Sequence, residues 1–232
     1  MPIYDYSEYI KVMRPIPGGW KRDIFGIPFI KNINIDLALL KTKIQLVSLS
    51  NISLGDKHAM DKIVQAFKYD FDLEKFYKDP LKWLPVLVRY YAVCTLDFSM
   101  HKGMELAQII SATFMNRWSG VFLQMNGYPY VIVTVGWVDA ETYDICFAGI
   151  EDGTILMIST LGVNNEECKK DFIDGYKEMR SRFPHSPIIC VGDRLEDMDD
   201  DVCYIKYENT FGHKDLEYWQ PAFLSWDVKE VE

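Results

Sequence analysis

The sequence is short of the features that announce most functions. It has no run approaching the roughly 18 apolar residues that a membrane span needs. Its first residues, Met1 to Arg14, carry acidic side chains and tyrosines where a signal peptide would place a basic start and an apolar core, so a cytoplasmic compartment is expected. Cysteines number five, an odd count with no Cys-x-x-Cys pair, and four of them lie in apolar runs, which predicts buried free thiols rather than a disulfide framework. The four histidines, His58, His101, His185 and His213, are scattered without zinc-ligand spacing. Gly-x-Gly-x-x-Gly, Walker and Gly-x-Ser-x-Gly motifs are absent, so the common nucleotide and hydrolase templates do not apply and no cofactor is assigned. Positive charge is also scarce: 25 Lys and Arg against 34 Asp and Glu give a net charge of -9, which disfavours non-specific binding to nucleic acid or to an anionic membrane. A host protein or a small-molecule ligand remain as partners.

What the 232 residues do contain is the material of a folded α/β domain. Hydrophobic residues make up 49% and charged ones 25%, ordinary for a packed globular chain. There is no repeat and no long linker, so 1–232 reads as one domain with an irregular segment at 1–26, where Pro15-Ile-Pro-Gly-Gly-Trp20 is turn-rich. Short β-prone runs begin at Ile27–Ile30 and Ile44–Leu49, with a weaker one at Val64–Tyr69. Asp72–Tyr90 predicts two helical pieces broken by Asp79-Pro80 and Pro85. Further strands are predicted at Tyr91–Asp97, Tyr130–Trp137, Thr154–Thr160, Ile188–Val191 and Val202–Tyr207. Between them, Gly103–Asn126 and Glu166–Phe183 carry apolar residues at helical spacing, with a short helical stretch near Ala140–Tyr143. Strands apolar throughout that alternate with helices require a covered parallel sheet. With about eight strands, the expected architecture is a distorted or incomplete β/α barrel of the TIM type; a doubly wound parallel sheet is the alternative.

Both architectures gather their ligand site at the carboxyl ends of the parallel strands. That rule selects Asp97 and Ser99, Trp137, Thr160 and Gly162, and Gly192. Asp97 directly follows an apolar run, where a carboxylate can serve as general base or acceptor, although Asp97 and Ser99 would also suit a helix cap near Gly103. Trp137 could stack on a flat ligand or fill the core. Thr160-Leu-Gly162 precedes a helix whose amino terminus could favour an anion. Asp70, Asp72 and Glu74 open a helix and complement its dipole, yet reach the same mouth if the preceding run is a strand. The acidic stretch from Asp193 to Asp201 lacks EF-hand spacing and reads as a solvated turn, so no metal ligand is assigned.

From Asp70 to Tyr207 the order of motifs resembles the bacterial and phage-encoded family catalogued as domain of unknown function 4417. The matching residues are Asp70-Phe-Asp-Leu-Glu74, Leu96-Asp-Phe-Ser99, Val133-Thr-Val-Gly-Trp137, Ser159-Thr-Leu-Gly162 and Cys190-Val-Gly192, with Arg117 at a recurrent arginine of the long helix. Leu96 stands where the family usually has proline, and Leu161 where a small or polar residue is common. The resemblance implies a fold and a set of residues rather than a reaction. Two functions follow as expectations. One is a phage or mobile-element accessory protein that binds a host macromolecule or sequesters a ligand, using the aromatic ends Tyr4–Tyr9 and Phe211–Trp226. The other is a small-molecule or nucleotide-processing enzyme, for which two carboxylates would suit glycosidic or N-glycosidic hydrolysis. It would use Asp97 as acid or base, Asp70 or Glu74 as second carboxylate, Arg117 as anion contact and Trp137 as stacking wall, with Ser99, Thr160, Gly162 and Gly192 lining the site.

Overall fold

The structure, a computed structural model, describes residues 6–33, 35 and 45–205. Seven short strands form its centre: β1 (Gln45–Ser48), β2 (Lys62–Gln65), β3 (Ala92–Cys94), β4 (Val131–Thr134), β5 (Leu156–Ser159), β6 (Ile188–Val191) and β7 (Cys203–Ile205). Each pairs in parallel with the strand before it, so the spatial order is the sequence order, and the sheet curls into a half-barrel. Right-handed crossovers that always step the same way pass over one face only. The helices accordingly lie on the convex side: α1 (Tyr6–Met13), α2 (Asp70–Lys78), α3 (Pro80–Leu87), α4 (Leu106–Met125), the single turn α5 (Tyr143–Cys146) and α6 (Glu166–Arg182).

Burial divides the strands into two apolar layers, as a two-residue side-chain period requires. Val64, Val93, Val131, Val133, Leu156 and Ile158 meet the helices, among them Ile109, Ala112 and Val121 of α4. Leu46, Ile63, Ala92, Cys94, Ile132 and Met157 form a separate cluster on the concave side, to which no helix residue belongs. This excludes the doubly wound alternative, which needs a reversal of strand order and helices on both faces. The incomplete β/α barrel is the fold.

The helices form where periodicity and punctuation agree. Asp79 separates α2 from α3, and Pro80 opens α3 at a position where a missing N–H is harmless. Asn165 caps α6 by accepting from the Cys168 N–H at 2.9 Å. Gly120 lets α4 lie close to the sheet: a Cβ there would sit 2.7 Å from Ile30 Cδ1, 2.8 Å from Thr95 Cγ2 and 2.9 Å from Val131 Cγ1.

Two expectations about the amino-terminal region need correction. Ile27–Ile30 is not an eighth strand of the sheet; Pro28 makes one antiparallel bridge to Arg22, and the Ile30 N–H donates to the Gly149 carbonyl. Nor is 1–26 wholly irregular, since α1 lies within it and buries Ile10. Beyond α1 the chain crosses α4, where the Arg14 guanidinium covers the Tyr77 and Trp118 rings at 4.1 and 4.9 Å and Trp118 Nε1 donates to the Pro15 carbonyl. No helix among the described residues is long and apolar enough to cross a membrane.

Candidate functional site

The carboxyl end of β3 is the most constrained part of the strand rim. After Cys94 the chain leaves the sheet, and α4 holds it by side chains. Ser119 Oγ accepts from the Leu96 N–H at 2.9 Å, and Asn116 brackets Phe98 by accepting from its N–H at 2.7 Å and donating to its carbonyl at 3.3 Å. Asp70, the first residue of α2, completes the clamp: its Oδ1 accepts from both the N–H and the hydroxyl of Ser99, at 3.0 and 2.9 Å. Asp97 and Ser99 do not cap α4; that role falls to Glu105, whose N–H donates to the Gln108 side chain.

The N–H groups of Leu96, Phe98 and Ser99 are thus held by side chains, while the Asp97 side chain is left over. Its partly buried carboxylate makes no hydrogen bond or ion pair with any described residue. Its position is set by the end of β4. A Cβ on Gly136, just beyond β4, would lie 3.9 Å from Asp97 Oδ1. Asp97 acts electrostatically on Cys94, a concave-face residue whose thiol burial already pushes well up. Asp70 raises the Asp97 carboxyl in turn. Burial is the largest cause and Asp70 the second, and together they outweigh the Arg117 charge and bring Asp97 to about 7.

The remaining candidates are distributed as follows. Arg117 lies beneath the site, 2% exposed, and its guanidinium donates to the carbonyls of Ala148, Thr134 and Cys146 at 2.9 to 3.0 Å. With those donors occupied, it joins α4 to the end of β4 and to α5, and acts on Asp97 only through its charge. Trp137 is wedged under α6, where a Cβ on Gly175 would come within 2.2 Å of the indole and Phe172 packs at 5.0 Å. Glu74 is exposed and paired with Lys78. Ser99 is held by Asp70 as described.

Thr160, Gly162 and Gly192 gather farther along the rim, at β5 and β6. The Thr160 hydroxyl donates to the Asp193 carbonyl at 2.8 Å, and a Cβ on Gly192 (φ +119°) would lie 2.3 Å from Thr160 Oγ1. The Leu161 N–H donates to Ser159 Oγ, so this turn closes on itself rather than opening toward an anion. The acidic stretch after β6 is a charge-matched surface: Asp197 pairs with Lys177, Asp199 and Asp201 with Arg180, and Asp200 with Arg194. Among the described residues no three His, Cys, Asp or Glu side chains converge to hold a metal ion.

Gln65, absent from the sequence expectations, ends β2 with 1% exposure. Its Oε1 accepts from the Phe67 N–H at 2.7 Å. A polar residue closing an apolar strand was the available signal. Ser48, Gln65, Thr134 and Ser159 all follow concave apolar residues by two positions, so small polar groups crown an apolar inner wall.

Fold and rim together define an α/β half-barrel with an unpaired acid at its strand ends. The chain belongs to the family described as Domain of unknown function (DUF4417), whose sequence model matches residues 23–208 and so extends the resemblance back beyond Asp70. It is similar to the Gene 1 protein of Mycobacterium phage D29, 30% identical over 135 residues that cover 58% of this chain and 49% of that protein. It is likewise similar to the Gene 1 protein of Mycobacterium phage L5, 29% identical over 136 residues, or 57% of this chain and 59% of that protein. The chain therefore matches only about half to three-fifths of the length of these relatives. No solved structure matches it.

Proposed function

We propose that the protein acts on a small molecule at the mouth of the half-barrel by general acid–base chemistry, with Asp97 as the proton-transferring group. The observation that carries this reading is the Asp97 carboxylate, unpaired and partly buried on a backbone that Ser119, Asn116 and Asp70 hold in place. A carboxyl titrating near neutrality can both give and take a proton at working pH. Asp70 is the second carboxylate, fixing Ser99 and keeping Asp97 basic, and Arg117 holds the ends of α4 and β4 in register. Hydrolysis of a glycosidic or N-glycosidic bond fits this pair. Protonated Asp97 would pass its proton to the leaving oxygen or nitrogen, while water supplies the new bond to carbon and yields its proton to restore the acid.

The test is a screen of sugars, nucleosides and nucleotides for binding and product formation, run in parallel on Asp97→Asn. Conversion by the wild type that falls at least a hundredfold in Asp97→Asn, with binding retained, supports the assignment. Turnover unchanged in the variant overturns it.

A second reading, an accessory protein that binds a host macromolecule, is favoured by the exposed stripe Tyr6, Tyr9 and Met13 on α1 and by the phage origin of the relatives. Phe211–Trp226 and Tyr4, the other aromatic residues expected to contribute, lie outside the described residues. Host-lysate proteins retained by the wild type but released by Tyr6→Ser/Tyr9→Ser, with unchanged melting temperature, would support it; equal retention would refute a role for the stripe.

A further inference from the structure

The concave wall holds a second polar group whose partner is missing. Gln65 is 1% exposed, and the Phe67 N–H fixes its amide orientation by donating to Oε1, which leaves Nε2 as the free end. Nε2 donates to no described residue. A buried amide donor without an acceptor is costly and rare in native proteins, so one on the wall of a candidate site calls for a ligand.

The position of Gln65 narrows the ligand. Continuing the β2–β3 register, in which Ile63 faces Ala92, puts Gln65 level with Cys94, three residues below Asp97 on the neighbouring strand. Asp97 lies past the end of β3, beside the end of β4, so the two groups stand at successive levels of the same rim. One offers a donor and the other a carboxyl. Gly136 adds no side chain of its own beside Asp97, and the flexible Met100 methyl lies 3.6 Å from where its Cβ would be. At the rim, Tyr69 and Phe71 flank Asp70, their rings stacked at 5.6 Å and 12° and exposed by 60% and 63%. Exposed stacked rings on either side of Asp70 in the chain suit a planar heterocycle.

Charge narrows it again. Asp97 and Asp70 face the mouth, so an anionic ligand is repelled unless a cation receives it. Arg117 donates to three carbonyls, Lys75 pairs with Asp72, Lys102 with Asp171, and Lys68 already has a partner.

We propose that the mouth between β2 and β4 binds an uncharged amino-bearing nucleobase or its nucleoside, with Gln65 donating to a ring acceptor, Asp97 accepting from the exocyclic amino group, and the Tyr69–Phe71 pair covering the ring. This assignment of ligand class rests on the acid–base reading of the same mouth, and adds Gln65 as a specificity-determining residue.

The experiment is a thermal-shift and calorimetric titration of the full chain with adenosine, cytidine, guanosine and uridine, their 5′-monophosphates, the free bases, and ribose. It is repeated on Gln65→Glu, which keeps the shape and turns the donor into an acceptor, and on Asp97→Asn. A ligand at about 100 times its dissociation constant should raise the melting temperature of the wild type by several degrees. The expected result is binding of an amino-bearing nucleoside or base, at least tenfold weaker binding of uridine and of the matching monophosphate, and a loss of at least tenfold in Gln65→Glu. The proposal is overturned if no base or nucleoside binds the wild type, or if Gln65→Glu binds as well as the wild type. Conversion of a sugar that is lost in Asp97→Asn, with no nucleoside bound, would overturn this proposal and leave the acid–base reading standing. Nucleoside binding lost in Gln65→Glu, with turnover untouched in Asp97→Asn, would do the reverse.

Discussion

Replacing Asp97 with asparagine should make the protein more stable, by an amount that grows as the pH rises from 4 to about 7 and then levels off. In the unfolded chain an aspartate titrates near 3.9. In the folded chain burial and the Asp70 charge bring Asp97 to about 7. Between these values the folded protein binds more protons than the unfolded one, so its stability falls as pH rises through the interval and levels off above it. At 1.36 kcal/mol per tenfold change in proton affinity, the separation amounts to on the order of 4 kcal/mol of destabilisation above pH 7, an upper bound because Asp97 is only partly buried. Asparagine keeps the shape and carries no charge. Urea titrations of wild type and Asp97→Asn from pH 4 to pH 9 should therefore show midpoints that nearly coincide at pH 4 and separate progressively toward pH 8. The gain in Asp97→Asn there should be about 2–4 kcal/mol, or roughly 4–16 °C in melting temperature. A gain independent of pH, or a variant less stable than wild type at pH 8, would refute the reasoning. Such a gain is the signature of a residue kept for activity at the expense of stability.

Removing the Asp70 charge with Asp70→Asn, which retains an acceptor for Ser99, should lower the Asp97 midpoint; carbonyl-carbon NMR of the Asp97 side chain would register it, and an unmoved midpoint would leave burial as the sole cause. Arg117→Met should leave the carbonyls of Thr134, Cys146 and Ala148 unpaired in the interior, for a loss on the order of 3–5 kcal/mol by urea denaturation, and less than 1 kcal/mol would contradict the strut described above. Gly175→Ala forces a methyl into the Trp137 indole and should destabilise by about 1–3 kcal/mol in spite of the better helix propensity of alanine; a second change, Trp137→Leu, should recover much of the loss.

The parts of this protein that a reader of the sequence can recover are those governed by short-range rules. Helix spacing and the Pro80 break locate α2, α3 and α4, and β-branched runs locate β2 to β6 to within a few residues. Asp97 could be singled out because it terminates an apolar run, and the strand-end rule supplies the rest. Long-range packing hides the remainder. The surroundings of Arg117 come from three carbonyls in separate stretches of chain, so nothing near it in sequence distinguishes a buried strut from an anion contact. Trp137 looks available until Gly175, a whole helix away, is known to lie on it. Ile27–Ile30 has the composition of a strand, but its apolar side chains fill the groove beside α4 while Gly149 takes its hydrogen bond. Gln65 shows in the sequence only as a polar residue after an apolar pair, because a four-residue strand gives too little pattern to tell a wall residue from a surface one.

The sequential strand order bears on how the chain is made. Every strand from β2 onward docks against a neighbour that has already left the ribosome, and none waits for a partner still to be synthesised. The sheet can therefore grow in the direction of translation, each new crossover closing one loop onto an existing edge, instead of paying for one long-range closure at the end. Nascent chains halted past Val191 should already protect the amides of β2 to β5 from exchange. Protection that arises only once β7 has emerged would show instead that the half-barrel forms as a single cooperative unit.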